Sequence, residues 1–153
     1  MIYYRSWSCY CLLFLAAIAL GACGGKGGGN QFRVGFSQCG EDDAWRRSMI
    51  SDMRRELAFY PEMRLLYKQA NDSSLLQVQQ VKELLKEGID LLIISPNEAE
   101  PLTPVVEEVF SKGIPVIVVD RKTASALYTN YIGANNYEIG KMAGAYARSI
   151  LKN

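Results

Sequence analysis

The stretch that most narrows the possible folds spans residues 89–121, IDLLIISPNEAEPLTPVVEEVFSKGIPVIVVDR. It reads as strand, loop, helix, strand. Residues 91–94 form an unbroken apolar run of strand length, the pattern of a parallel strand covered on both faces. After the loop of residues 96–101, Leu102, Val105, Val106, Val109 and Phe110 recur at helical spacing. Thr103 is placed to cap that helix and Pro104 to sit in its first turn. Gly113 and Pro115 stop it. Residues 115–119 make a second buried strand that delivers Asp120 and Arg121 at its carboxyl end. Ligands of open parallel sheets bind beyond the carboxyl ends of the strands, so this charged pair stands where a ligand belongs.

The same alternation runs through the chain. Residues 32–37 (FRVGFS) read as a first strand, residues 38–43 (QCGEDD) as a loop, and residues 45–59 as a helix. The apolar side of that helix is Trp45, Met49, Ile50, Met53 and Leu57. Residues 63–70 form the second strand, and Asn71 and Asp72 turn into a helix capped by Asp72 or Ser73. Its expected buried stripe is Leu75, Val78, Val81, Leu84 and Leu85, ending at Gly88. Residues 128–133 make a fifth, more polar strand. A last helix from Asn136 carries Ile139, Met142, Ala143, Tyr146 and Ile150 on one face. Strands alternating with helices over short connections call for right-handed crossovers and an α/β, doubly wound parallel sheet.

Composition removes several functions. With 17 Lys and Arg against 16 Asp and Glu in 153 residues, no basic excess exists to hold nucleic acid. The chain has no histidine, which excludes His-based acid/base chemistry, His-activated triads and His-containing zinc sites. The loop after the first strand lacks G-x-G-x-x-G, so it is no dinucleotide site. Its three acids, Glu41, Asp42 and Asp43, lack the spacing of a calcium loop, and no metal is expected there. Glu41 and Asp42 read as favourable charges at the helix start. Asp43 is open between capping and accepting from ligand hydroxyls.

Residues 1–23 read as an export signal. Arg5 supplies the positive region, and CLLFLAAIAL, residues 11–20, is an apolar core too short for a comfortable membrane span. The run Leu20-Gly21-Ala22-Cys23 resembles a bacterial lipobox, which implies lipidation of Cys23. The alternative is an uncleaved N-terminal anchor. Residues 24–31 form a Gly-rich tether. Processing removes Cys9 and Cys11 and leaves Cys39 alone, without a disulfide partner. With no histidine to activate it, Cys39 reads as a packing or pocket-lining residue rather than a nucleophile.

The order of these motifs resembles the sugar-binding periplasmic proteins of the ribose/galactose type, which share their fold with lactose-repressor-like ligand domains. The runs SQCGEDDAWRRSM, ISPNEAEPLTP and YIGANNYEIG are more similar still to the periplasmic sensor domains of Bacteroidetes hybrid two-component regulators. The resemblance covers residues 32–153. It implies the type I periplasmic binding protein fold, a small sugar as ligand and no cofactor. It also implies that residues 32–134 are the N-terminal lobe, with residues 135–153 as the first helix of a truncated second lobe. By position it implies ligand contacts from Asp43, Trp45, Asn71, Asp120 and Arg121. The loop before Asp43 is longer than the family's, which leaves the register of Asp43 and Trp45 open by a residue or two. A carboxylate accepts from sugar hydroxyls, a guanidinium donates in a fixed fork, and an indole covers an apolar sugar face.

The expected function is therefore carbohydrate sensing in the periplasm, with the chain held at the membrane by its lipid or anchor. The missing lobe and kinase domains of the parent would be its partners. A solute-binding lipoprotein of a sugar importer is the alternative. An enzyme of the glycosidase kind would use Asp120 with Glu41 or Asp43. A DNA-binding repressor of this fold is disfavoured by the export signal and by the lack of a helix-turn-helix before Phe32.

Overall fold

The computed structural model describes residues 31–151. The export signal, Cys23 and all but the last residue of the tether lie outside the described residues. The elements are β1 (Phe32–Gln38), α1 (Ala44–Leu57), β2 (Met63–Gln69), α2 (Ser74–Lys86), β3 (Leu91–Ser95), α3 (Ala99–Ser111), β4 (Val116–Val119), β5 (Asn130–Ile132) and α4 (Asn136–Leu151). The five strands form one sheet in the order β2-β1-β3-β4-β5, and every pairing is parallel. This is the doubly wound arrangement, and its strand order reverses between β1 and β3.

The two faces of the sheet are covered unequally. Leu92 and Ile94 of β3 and Val116 and Val118 of β4 are fully buried against Val81 and Leu84 of α2 and Leu102, Val106 and Val109 of α3. Gly35 of β1 points the same way: a Cβ there would come within 2.9 Å of Ile89 Cγ2, so glycine lets α2 approach. The opposite face carries α1, which packs against β2. Only Ile50 of α1 is buried, over a sheet layer that includes Phe36 stacked on Tyr67 with ring centroids 5.5 Å apart.

Beyond β1 that second face has no helix. Leu91, Ile93, Ile117 and Val119 alternate with the buried residues and are only half-buried. Ile132, in register with Val119, is 56% exposed. The expectation of two covered faces for residues 91–94 and 115–119 is thereby corrected. The helical links out of β2 and β3 both cross the α2/α3 face, and the link from β4 to β5 carries no helix.

Other expectations shift for local reasons. α3 begins at Ala99 rather than after a Thr103 cap; its N-cap, Glu98, makes no side-chain capping bond. Pro101 falls in the first turn, where an absent N–H costs nothing. Thr103 instead donates to the Ala99 carbonyl at 2.8 Å and accepts from the Ala124 N–H at 2.9 Å, which ties α3 to the loop after β4. Leu75, expected in the α2 stripe, is 72% exposed, and Gln77 is buried in its place. Ser73 caps α2, accepting from the Leu76 N–H. Every residue of α4 is exposed, including Ile139, Met142, Tyr146 and Ile150. No helix among the described residues is long and apolar enough to cross a membrane.

Candidate functional site

The carboxyl ends of the strands converge on one edge of the sheet, and the polar residues there are held by the backbone beneath them. Gln77 organises the middle. Its amide donates to Ser37 Oγ at 3.2 Å and to the Ser95 carbonyl at 3.0 Å, and its oxygen accepts from the Asn97 N–H at 2.8 Å. One buried amide thus links α2 to the ends of β1 and β3, which accounts for a polar side chain in the core.

Asp120, at the end of β4, has a φ of +68°. The Arg121 N–H donates to the Val119 carbonyl at 2.9 Å across it, the i to i+2 bond of a γ-turn with positive φ, a rare and strained form. The strain is held in place from both sides. The Asp120 N–H donates to Ile132 of β5 at 2.9 Å, and its carbonyl accepts from the Tyr131 hydroxyl at 2.8 Å. A non-glycine residue kept in this region marks a position where the side chain matters.

The Asp120 carboxylate faces Arg46 Nη2 at 3.7 Å. Arg46 also forms an ion pair with Asp43, whose carboxylate caps α1 by accepting from the Arg46 N–H at 2.7 Å. That N–H is the largest cause holding the Asp43 carboxyl below its ordinary value; the Arg46 charge adds to it and partial burial opposes it. Burial works against the Arg46 charge, and the Asp43 carboxylate paired with it favours that charge. Asp43 is therefore both the cap of α1 and an ion-pair partner of Arg46. Arg46 is the hub between two acids, and sequence reasoning missed it. Its signal was a position one residue after Trp45, meaningless until the folded sheet brings the Asp120 carboxylate within reach of it. Arg46 Nε and Gln38 Oε1 are buried with no hydrogen-bond partner among the described residues.

The other expected residues are placed less uniformly. Arg121 is exposed and donates to the Asn97 carbonyl; it does not pair with Asp120. Asn71 and Asp72 have φ of 48° and 55°, a left-handed turn that Asn and Asp tolerate. This turn is locked by the Asp72 N–H donating to the Cys39 carbonyl at 2.7 Å. It leaves Asn71 exposed at the same edge. Gly40 lies beneath the Asp72 carboxylate, where a Cβ would come within 2.5 Å of an oxygen. Trp45 is 54% exposed and lines a groove on the outer side of α1 with Met49, Met53 and Leu57, not the cleft beside Asp120. That cleft, about 570 Å³, is lined by Asp120, Arg121, Lys122, Tyr131, Asn135 and Asn136 among others, and Lys122 Nζ stands 4.6 Å from the centre of the Tyr131 ring.

A glycosidase acid needs a raised carboxyl pKa. Asp43 is shifted the other way, and Glu41 accepts from the Tyr67 hydroxyl. Burial first, then that bond to Glu41, pushes the Tyr67 phenol up, so it stays a donor.

Comparison with known proteins agrees with this geometry. A family model described as a periplasmic binding protein domain matches residues 34–153. The fructose-binding periplasmic domain of a hybrid two-component system is 50% identical, with a TM-score of 0.76 over 79% of this chain and 40% of that one. The ribose import binding protein of Bacillus subtilis is 25% identical over 79% of this chain and 39% of its own length. The galactofuranose-binding protein of Escherichia coli is 29% identical over 72% of this chain and 36% of its own. The chain spans under two fifths of the length of these curated relatives.

Proposed function

This chain belongs to the periplasmic binding protein domain family, and from that premise we propose that its strand-end edge is one wall of a carbohydrate site in a periplasmic sensor. The observation that carries the reading is the 50% identity to the fructose-binding domain of a hybrid two-component system. The geometry supports the same reading. Asp120 offers carboxylate oxygens on a fixed backbone, and Arg46 and Arg121 offer donors to either side of it. Arg46 Nε and Gln38 Oε1 add an uncommitted donor and acceptor, the combination a sugar hydroxyl satisfies. Asp43 fixes Arg46 and Asn71 adds a polar contact from the β2 turn, while Trp45, turned to the outer groove of α1, is left outside this wall. The second wall comes from a second lobe, of which α4 is the first helix. Cys23 carries the lipid that holds the protein at the periplasmic face of a membrane.

An importer's solute-binding lipoprotein is the second reading. It is favoured by the ribose import relative and by the solved binding component of an arabinose transporter from Shewanella, 27% identical with a TM-score of 0.70 over 78% of this chain and 40% of that one. The genomic sequence around this reading frame separates the two: kinase and receiver motifs after a membrane span, or a stop after the second lobe.

Two measurements test the site. Titration with D-fructose, D-ribose and L-arabinose, followed by amide NMR, is expected to shift Arg46, Asn71, Asp120 and Arg121 with at least one of them. Shifts confined elsewhere, or none with any of the three, overturn the assignment. In a protein with both lobes, Arg121→Ala should weaken sugar binding tens-fold to thousands-fold, since losing one charged partner in a closed site costs about 2–5 kcal/mol. Arg121→Lys should restore only part of it, because an ammonium lacks the planar fork. Calorimetry reads the loss, and an unchanged affinity with a lowered melting temperature makes Arg121 structural.

A further inference from the structure

The alternation of β4 carries Val116 and Val118 to the α2/α3 side of the sheet and leaves Ile117 and Val119 on the other. Carried one residue further, it would send the side chain of residue 120 to the side of Val116 and Val118. The Asp120 carboxylate instead faces Arg46 of α1, the helix on the opposite face. The redirection is made in the backbone, because a φ of +68° takes Asp120 out of the extended range and swings its Cβ away from the strand's alternation. The strained turn therefore aims the acid. Two of the bonds around it are main chain to main chain, from the Asp120 N–H to Ile132 and from the Arg121 N–H to Val119. The Tyr131 hydroxyl, donating to the Asp120 carbonyl at 2.8 Å, makes the one side-chain bond to the Asp120 backbone among the described residues. Lys122 stands over the Tyr131 ring and helps to keep it in place.

That hydroxyl has room only because residue 133 is glycine. A Cβ at Gly133 would fall on the Tyr131 hydroxyl oxygen and on Cζ behind it, well inside contact distance. The Gly133 backbone does not itself require glycine, since its φ lies outside the left-handed region. The missing Cβ is space for a neighbour's hydroxyl. We propose that Tyr131 and Gly133 are positioning residues of the strand-end site: Gly133 admits the Tyr131 hydroxyl, the hydroxyl holds the Asp120 turn, and the turn aims the carboxylate toward Arg46 and the ligand. The ligand's part in this rests on the carbohydrate reading above, whereas the aim of the carboxylate does not. The hydroxyl proton is committed to the Asp120 carbonyl, so Tyr131 acts through Asp120 and not as a donor to the sugar.

The isotopically labelled full chain in mild detergent tests this. The one-bond coupling between Cα and Hα of Asp120 reports the sign of its φ. Wild type should show the positive-φ value, and Tyr131→Phe and Gly133→Ala should each move it toward the extended value. Melting temperatures should change little, because the bond released holds a strained turn. With whichever of D-fructose, D-ribose and L-arabinose shifts the wild-type amides, each variant should bind more weakly by up to about tenfold. The two changes act through one hydrogen bond, so the double variant should be no worse than Gly133→Ala alone. An Asp120 coupling unmoved by both substitutions would overturn the proposal, since the main-chain bonds would then hold the turn unaided. Fully additive effects, or full sugar affinity retained with φ released, would overturn it as well. A wild type that answers none of the three sugars overturns the carbohydrate reading, and the Asp120 coupling still decides whether Tyr131 and Gly133 aim the carboxylate.

Discussion

Ile93 and Ile94 are neighbours in the chain and belong to different environments. Ile94 is fully buried under α2 and α3, whereas Ile93 faces the other side of the same strand and is half-buried. The contrast repeats along β4, where Val116 and Val118 are buried and Ile117 and Val119 are not. It teaches that an apolar run specifies a strand that tolerates burial on both faces, while the chain connections decide which face receives a helix. One side of this sheet is a finished core. The other is finished only over β1 and β2.

The largest effect that would test the contrast is a matched pair of truncations. Ile94→Ala should cost about 2–5 kcal/mol in urea unfolding, as buried isoleucines do. Ile93→Ala should cost about 1 kcal/mol, because less apolar surface is lost from cover. Equal losses would mean the second face is covered in solution. Next comes the polar end of the packed face. Gln77→Ala removes three hydrogen bonds and strands Ser37, Ser95 and Asn97. A loss of about 1–3 kcal/mol is expected from the same unfolding curves, and a negligible one would show that water replaces the amide and that this end is looser than its middle.

On the sparsely covered side, Asp43→Ala should lower the melting temperature by loss of the α1 cap. Asp43→Asn keeps a capping oxygen and removes the titration. Because folding lowers the Asp43 carboxyl pKa, its contribution is present above the ordinary carboxylate value and is lost as pH falls through the folded one. Wild type should therefore lose stability below about pH 4 more steeply than Asp43→Asn, and thermal melts across that range decide it. The smallest effect belongs to α4. In dilute, monomeric protein, Tyr146→Ala should stay within about 0.5 kcal/mol of wild type. Hydrogen exchange should protect β3 and β4 and offer little protection beyond Asn135.

The order and type of all nine described elements were legible in the sequence because each strand and helix carries its own local period. What failed needed distance. Leu75 has the spacing of a buried residue, but Gln77 holds that place because three groups from other strands satisfy it. Thr103 looked like a cap, and its hydroxyl bridges α3 to Ala124 instead. At the candidate site, Asp43 and the Asp120-Arg121 pair were readable from their places at element ends. Arg46 was not, since only the folded sheet sets it between two acids 77 residues apart. Trp45 was readable as an aromatic in the first turn of α1, and the structure turns it to the outer groove.

The γ-turn at Asp120 sets the backbone and side chain of one residue against each other. The backbone geometry suits glycine, which adopts positive φ without penalty, and the carboxylate is what faces Arg46. Asp120→Gly should therefore cost the fold little. Variants of this chain propagated for folding alone should drift toward glycine at position 120. Variants propagated for ligand capture should hold aspartate there despite the strain of about 1–3 kcal/mol. The identity of that one residue, read across an evolving population, reports whether the site is in use.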